Sequence, residues 1–143
     1  MTRRTRFLAL AVLAVLAGCD RSADTESSGA GAVPSPGLAR GELLSYACIA
    51  CHSLSSGGSH QVGPSLHGIF GRTAGTAGGF AYSDALERSG IVWTPAELDR
   101  WLADPAGFLP GTTMTFTGFN SAEDRSALID YLVQATTDSN VAE

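Results

Sequence analysis

Apolar and polar positions divide the chain into a short apolar run, a polar stretch and a region of helical periods. Phe7 to Ala17 is apolar without interruption and follows Met1-Thr2-Arg3-Arg4-Thr5-Arg6. That run is too short to span a bilayer, which takes about 20 apolar residues. Residues 20–36 have Val33 as their only large apolar side chain and are otherwise polar or small. They predict a flexible tether with an r.m.s. reach of roughly 20–25 Å. Three main helices are expected beyond it. The first covers about 38–47 and offers Leu43, Leu44 and Tyr46 for a core face. The second opens with Thr94 as N-cap, Pro95 at the first helical position and Glu97 closing a capping box. Leu98, Trp101 and Leu102 then form an apolar stripe at i, i+3, i+4. The third starts at Ser121, with Glu123 and Asp124 where the helix dipole favours acids. Leu128, Tyr131, Leu132 and Ala135 repeat at helical spacing along it. A short helix is expected over 83–89, capped by Gly90. Residues 53–80 are rich in Gly, Ser and Thr and show no sustained period, and no strand pattern stands out.

Charge sharpens this division. All nine basic residues are Arg, and three of them precede the apolar run. Past residue 18, six Arg face fourteen acids, a net charge of about −8. Such a domain cannot neutralise phosphates, which argues against nucleic acid as a partner. The basic start, apolar run and small-residue end predict a secretory signal. Leu16-Ala17-Gly18-Cys19 resembles a bacterial lipobox, which implies cleavage before Cys19 and lipid on its sulfur. The plain alternative is an ordinary signal in which Cys19 is incidental. Arg3-Arg4 with Phe7-Leu8 misses twin-arginine spacing by one position. Asp20, next to Cys19, favours inner-membrane retention in some bacterial lineages. The expected organisation is a signal peptide over 1–18, a tether over 19–36, a folded domain over 37–138 and a tail over 139–143.

Cys48-Ile49-Ala50-Cys51-His52 carries the most specific chemistry. Two thiols three positions apart, followed at once by an imidazole, form the attachment pattern for a c-type haem. Each thiol adds across one porphyrin vinyl group, and the short turn brings His52 to the iron as proximal ligand. A structural zinc site needs four ligands and a second Cys or His pair, which the chain lacks. A redox dithiol needs no adjacent His and sits in a βαβ pattern that is also missing. With Cys19 taking lipid and Cys48 and Cys51 taking haem, no Cys is left for a disulfide. A loop as long as 53–80 without a core of its own is unusual, and it makes sense if it wraps the haem.

A six-coordinate haem needs a second ligand, and the candidates are Met114, His60 and His67. A lone Met is ordinarily core filler, but Met114 is the one Met left after the signal and sits in Pro110-Gly111-Thr112-Thr113-Met114. His60 reads otherwise as a loop hydrogen-bonder and His67 as an exposed imidazole. Met114 is the preferred ligand. A His/Met pair raises the reduction potential and fills both axial sites, which favours outer-sphere electron transfer over binding of oxygen or peroxide.

From about Gly41 to Thr136 the chain resembles a class I cytochrome c, close to the mitochondrial and bacterial c2 type. The matching stretches are the Cys48–His52 motif, Gly63–Arg72, Gly79–Ala85, Gly90–Trp93, Pro110–Met114 and Leu128–Leu132. The resemblance implies an all-α cytochrome c fold, with three main helices and loops wrapped around one covalent haem and the first and last helices crossing. It also implies that the Pro64 carbonyl accepts a hydrogen bond from His52. Arg72, Tyr82 and Trp93 would hold one haem propionate and Thr112 would contact the other. Trp101 stands where the family usually has a Tyr near the Met sulfur, and Leu86 replaces an Asn that orders a buried water. Ala106, Gly107 and Thr113 occupy positions of the family's lysine ring. Gly41 with Leu44 or Tyr46 is expected to serve the helix crossing.

The expected function is a periplasmic, membrane-tethered, single-haem electron carrier that passes electrons at the haem edge near Cys51 and Phe116. It has no small-molecule substrate and is no enzyme. Its expected partners are membrane redox proteins: a cytochrome bc1-type donor and a terminal oxidase, reaction centre or reductase as acceptor. Two other readings are a haem-based sensor of a small gas, which needs an open distal site, and a haem subunit of a larger oxidoreductase.

Overall fold

The structure, a computed structural model, describes residues 35–137. The signal segment, Cys19, the tether up to residue 34 and the tail lie outside the described residues. Within them the helices are α1 Pro36–Ile49, α2 Asp84–Glu87, α3 Pro95–Ala103, α4 Pro105–Phe108 and α5 Ala122–Ala135. Strand character among the described residues is confined to one antiparallel bridge, Thr73 to Val92. The fold is all-α, as expected.

α1 extends two residues beyond the predicted helix at each end. Ser35 caps it, its Oγ accepting from the Leu38 N–H at 3.4 Å, and Pro36 takes the first turn. That cap-and-proline pair lies inside the stretch assigned to the tether, so helix begins before residue 37. α1 crosses α5 at Gly41, where a Cβ would overlap the Ala127 carbonyl and the Tyr131 Cβ. The contact turns Gly41, Leu44, Ser45 and Cys48 inward, at i, i+3, i+4 and i+7. It turns Leu43 and Tyr46 outward, 59% and 60% exposed, which corrects the expectation that they face the core. Buried Ser45 meets its need internally by donating to the Glu42 carbonyl at 2.7 Å.

α3 and α5 follow the predicted stripes. Leu98, Trp101 and Leu102 are buried, as are Leu128, Ile129 and Leu132. The Thr94 hydroxyl accepts from the Glu97 N–H at 3.1 Å, but the capping box is only half made. The Thr94 N–H bonds the Val92 carbonyl, and the Glu97 carboxylate accepts from Arg100 instead. Two arginines clamp α5. Arg40 of α1 makes a two-pronged pair with Asp124, both bonds at 2.9 Å. Arg125 reaches Asp99 of α3 at 2.8 Å and also donates to the Phe119 and Asn120 carbonyls. The far end of α5 is tied down by the Thr136 carbonyl, which accepts from Gly68 N–H at 2.7 Å.

The short helices set the loops. α2 is shorter than the predicted 83–89; Ser83 caps it and Gly90, at φ +65°, lets the chain leave. α4 was not anticipated, although Asp104-Pro105 is its signal: the Asp104 carboxylate accepts from the Gly107 N–H at 3.0 Å and Pro105 occupies the first turn.

Candidate haem site

Between the end of α1, the long loop and α3 lies a cavity of about 340 Å³. Cys48, Cys51, His52, Pro64, Arg72, Tyr82, Trp93, Thr112 and Met114, all singled out from the sequence, line it. α1 unwinds there: the Cys51 and His52 N–H groups both bond the Cys48 carbonyl, at 3.0 and 2.9 Å, which turns both thiols and the imidazole to one side. Burial pushes the Cys48 thiol up to about 11. No cluster of three or more potential metal ligands occurs among the described residues.

His52 is held on two sides. Its Nδ1–H donates to the Pro64 carbonyl at 2.7 Å, which leaves Nε2 as the lone-pair nitrogen. A Cβ on Gly63 would strike the imidazole, so the loop can pass this close only as glycine. Burial lowers the His52 pKa, and the bond to Pro64 opposes this only in part. The ring therefore stays neutral and able to donate its lone pair to a metal. The loop keeps its path through Gly63 N–H to Cys51 carbonyl and Leu66 N–H to Ser53 carbonyl, both 2.8 Å.

Met114 enters the cavity from the turn after α4. The Leu109 carbonyl accepts from Thr112 N–H at 3.1 Å, with Pro110 and Gly111 between them. Gly111 has φ +94°, the conformation a type II turn requires at that place. The Thr112 Oγ1 accepts from Met114 N–H at 3.3 Å, so this hydroxyl orients Met114. His60 and His67 do not line the cavity. Both His60 nitrogens are engaged, Nδ1 accepting from Ser65 N–H and Nε2–H donating to the Gly78 carbonyl, each at 2.9 Å. His67 is half-buried rather than exposed.

The polar handles are few. Arg72 donates to the Ser65 and His67 carbonyls at 3.0 and 2.9 Å and, among the described residues, is the only charged side chain lining the cavity. Burial raises the Tyr82 pKa, against the opposing charge of Arg72 and a hydrogen bond from the Ala77 backbone. Much of the remaining wall is apolar, including Leu66, Ile69, Phe80, Leu102 and Leu132, which the sequence did not single out as site residues. Their signal was present but ambiguous, since core packing and a cofactor wall call for the same side chains. Trp101 and Leu86, where the chain departs from the family pattern, also line the cavity. Trp101 is buried and meets Trp93 and Phe108 edge-on, centroids 5.3 and 6.1 Å apart.

An apolar cavity with two thiols, a neutral imidazole, a thioether and one cation fits a c-type haem and its acid groups. The cytochrome c family profile matches residues 38–136. The chain belongs to the cytochrome c family. It is 44% identical to a cytochrome c from Chlamydomonas reinhardtii, over 72% of this chain and 93% of the relative. It is 43% identical to a cytochrome c2 from Blastochloris viridis, over 71% of this chain and 80% of the relative, and 39% identical to a cytochrome c from Arabidopsis thaliana, over 66% and 84%. As a cytochrome c it binds one haem covalently through Cys48 and Cys51. It is an electron carrier, not an enzyme, and its partners are redox proteins. The bound haem supplies a one-electron ferric/ferrous couple. The Pro64 carbonyl fixes the tautomer of the His52 imidazole.

Proposed function

We propose that this cytochrome c is a His52/Met114-ligated carrier, tethered by lipid on Cys19 to the periplasmic face of the bacterial inner membrane. It shuttles electrons from a cytochrome bc1-type donor to a terminal oxidase, reaction centre or reductase. One observation carries the ligand assignment. His52 is locked by Pro64 with Nε2 unspent, and Met114 lines the same cavity while both His60 nitrogens are occupied elsewhere. Arg72, Tyr82 and Trp93 hold one propionate, and Thr112, its proton still available after accepting from Met114, holds the other. The basic start, apolar run and Leu16-Ala17-Gly18-Cys19 support the export and lipid assignments. A tether raises the effective concentration at membrane partners without any new contact.

Mass spectrometry of the mature N-terminus, with Cys19→Ala alongside, tests the placement. The native chain should begin at a lipidated Cys19 and fractionate with membranes, and Cys19→Ala should be released with its haem spectrum unchanged. An unmodified Cys19, or a variant still bound to membranes, contradicts the anchor.

A further inference from the structure

The segments that form the mouth of the haem cavity carry almost no charge, whereas α2 and α3, which supply part of its inner wall, carry Asp84, Glu87, Glu97, Asp99 and Arg100. No Asp, Glu, Lys or Arg occurs between Glu42 and Arg72, between Arg72 and Asp84, or between Asp104 and Glu123. Arg72, the exception, faces the cavity and is taken up by two carbonyls. Residues that both line the cavity and stand exposed define its mouth: Ala47, Val62, Thr73, Thr113 and Thr115. None of them ionises. Val62 is 80% exposed, and Leu43 and Tyr46 also stand exposed on α1, with Glu42 beside them. The described residues as a whole are acidic, with five Arg against nine Asp and Glu. Four of those Arg are already paired, with Asp124, Asp84, Glu97 and Asp99.

We propose that this mouth docks a redox protein whose own cofactor edge is framed by uncharged, apolar side chains. The inference deepens the carrier reading and rests on electrons passing at the mouth. A charged partner rim would shed its water against Ala47, Val62 and the threonines with no opposite charge to meet it. An acidic rim would also be repelled by the surrounding acids. A basic rim would be drawn to acids that do not line the mouth, and would settle with its cofactor off axis. An apolar rim gains by displacing water from Val62 and the threonine methyls.

Stopped-flow oxidation of the haem-loaded ferrous protein tests this, with hexacyanoferrate(III) as anionic probe and tris(phenanthroline)cobalt(III) as cationic probe. Between about 150 and 500 mM salt, where the Debye length is about 8 Å or less, each rate constant should change less than about threefold, and Thr113→Lys should give the two probes slopes of opposite sign. Oxidation by membrane vesicles of the expressing cells should stay level or quicken as salt rises. Opposite steep slopes in the native protein, or unchanged slopes in Thr113→Lys, overturn the neutral mouth as the transfer face. Vesicle oxidation that slows with salt overturns the uncharged partner. A dimer at raised protein concentration that shields the haem from both probes gives the face to a second copy and overturns it as well. If neither probe oxidises the protein, the carrier reading itself fails, a separate outcome.

Discussion

His52 and Met114 are the proposed iron ligands, and their neighbours decide how firmly each is held. His52 cannot swing away, because Pro64 takes its Nδ1–H and Gly63 closes over the ring. Gly63→Ala drives a methyl into the imidazole; we expect a loss of about 1–3 kcal/mol in chemical denaturation, the usual cost of overpacking, together with a disturbed haem spectrum. Met114→Ala removes the thioether and should lower the reduction potential and let carbon monoxide bind the reduced protein, as voltammetry and spectroscopy would register. Ligand candidates were legible at this scale because covalent chemistry fixes residue type and spacing. Arg72's bonds to the Ser65 and His67 carbonyls were not legible, since a guanidinium in a sequence does not reveal its acceptors.

Among the elements, the crossing of α1 and α5 depends on Gly41. A residue there would gain helix propensity of about 1 kcal/mol over Gly and lose more to the Ala127 carbonyl. Gly41→Val should therefore destabilise by about 1–3 kcal/mol and spread the two helices in hydrogen exchange. Asp124 couples the same pair. Its bond to Arg40 holds its carboxyl below the ordinary 3.8, so the stability it contributes is present above pH 3.8 and fades as pH falls through the depressed folded value. The stability difference between the native protein and Asp124→Asn should be level near neutrality and shrink in acid, as pH-dependent unfolding would measure. Caps and stripes announced α3 and α5. The stripe of α1 is not legible in the sequence because its inward face, Gly41 and Ser45 with Leu44 and Cys48, is small and partly polar, while its larger side chains Leu43 and Tyr46 point to water. α4 was passed over because four residues leave no period to detect.

At the scale of the whole molecule the apolar residues divide between a core and the wall of a cavity, and sequence does not say which is which. Leu128, at 0% exposure, belongs to the core, and Leu128→Ala should cost about 2–5 kcal/mol in thermal or chemical unfolding. The absence of helix in 53–80 was readable, but the loop's path was not, because His60, Gly63 and Gly68 secure it through contacts far apart in sequence. Charge is arranged on the same scale, collected away from the cavity mouth although the chain as a whole is acidic. The central claim is that this cavity holds one covalent, low-spin haem ligated by His52 and Met114. The visible spectrum of the full chain matured in a haem-attaching periplasm, oxidised and reduced, with and without carbon monoxide, tests it most directly. The expected result is a covalent low-spin haem with a sulfur-to-iron charge-transfer band when oxidised and no response to carbon monoxide when reduced; a high-spin spectrum or prompt carbon monoxide binding in the native protein would overturn the ligand assignment.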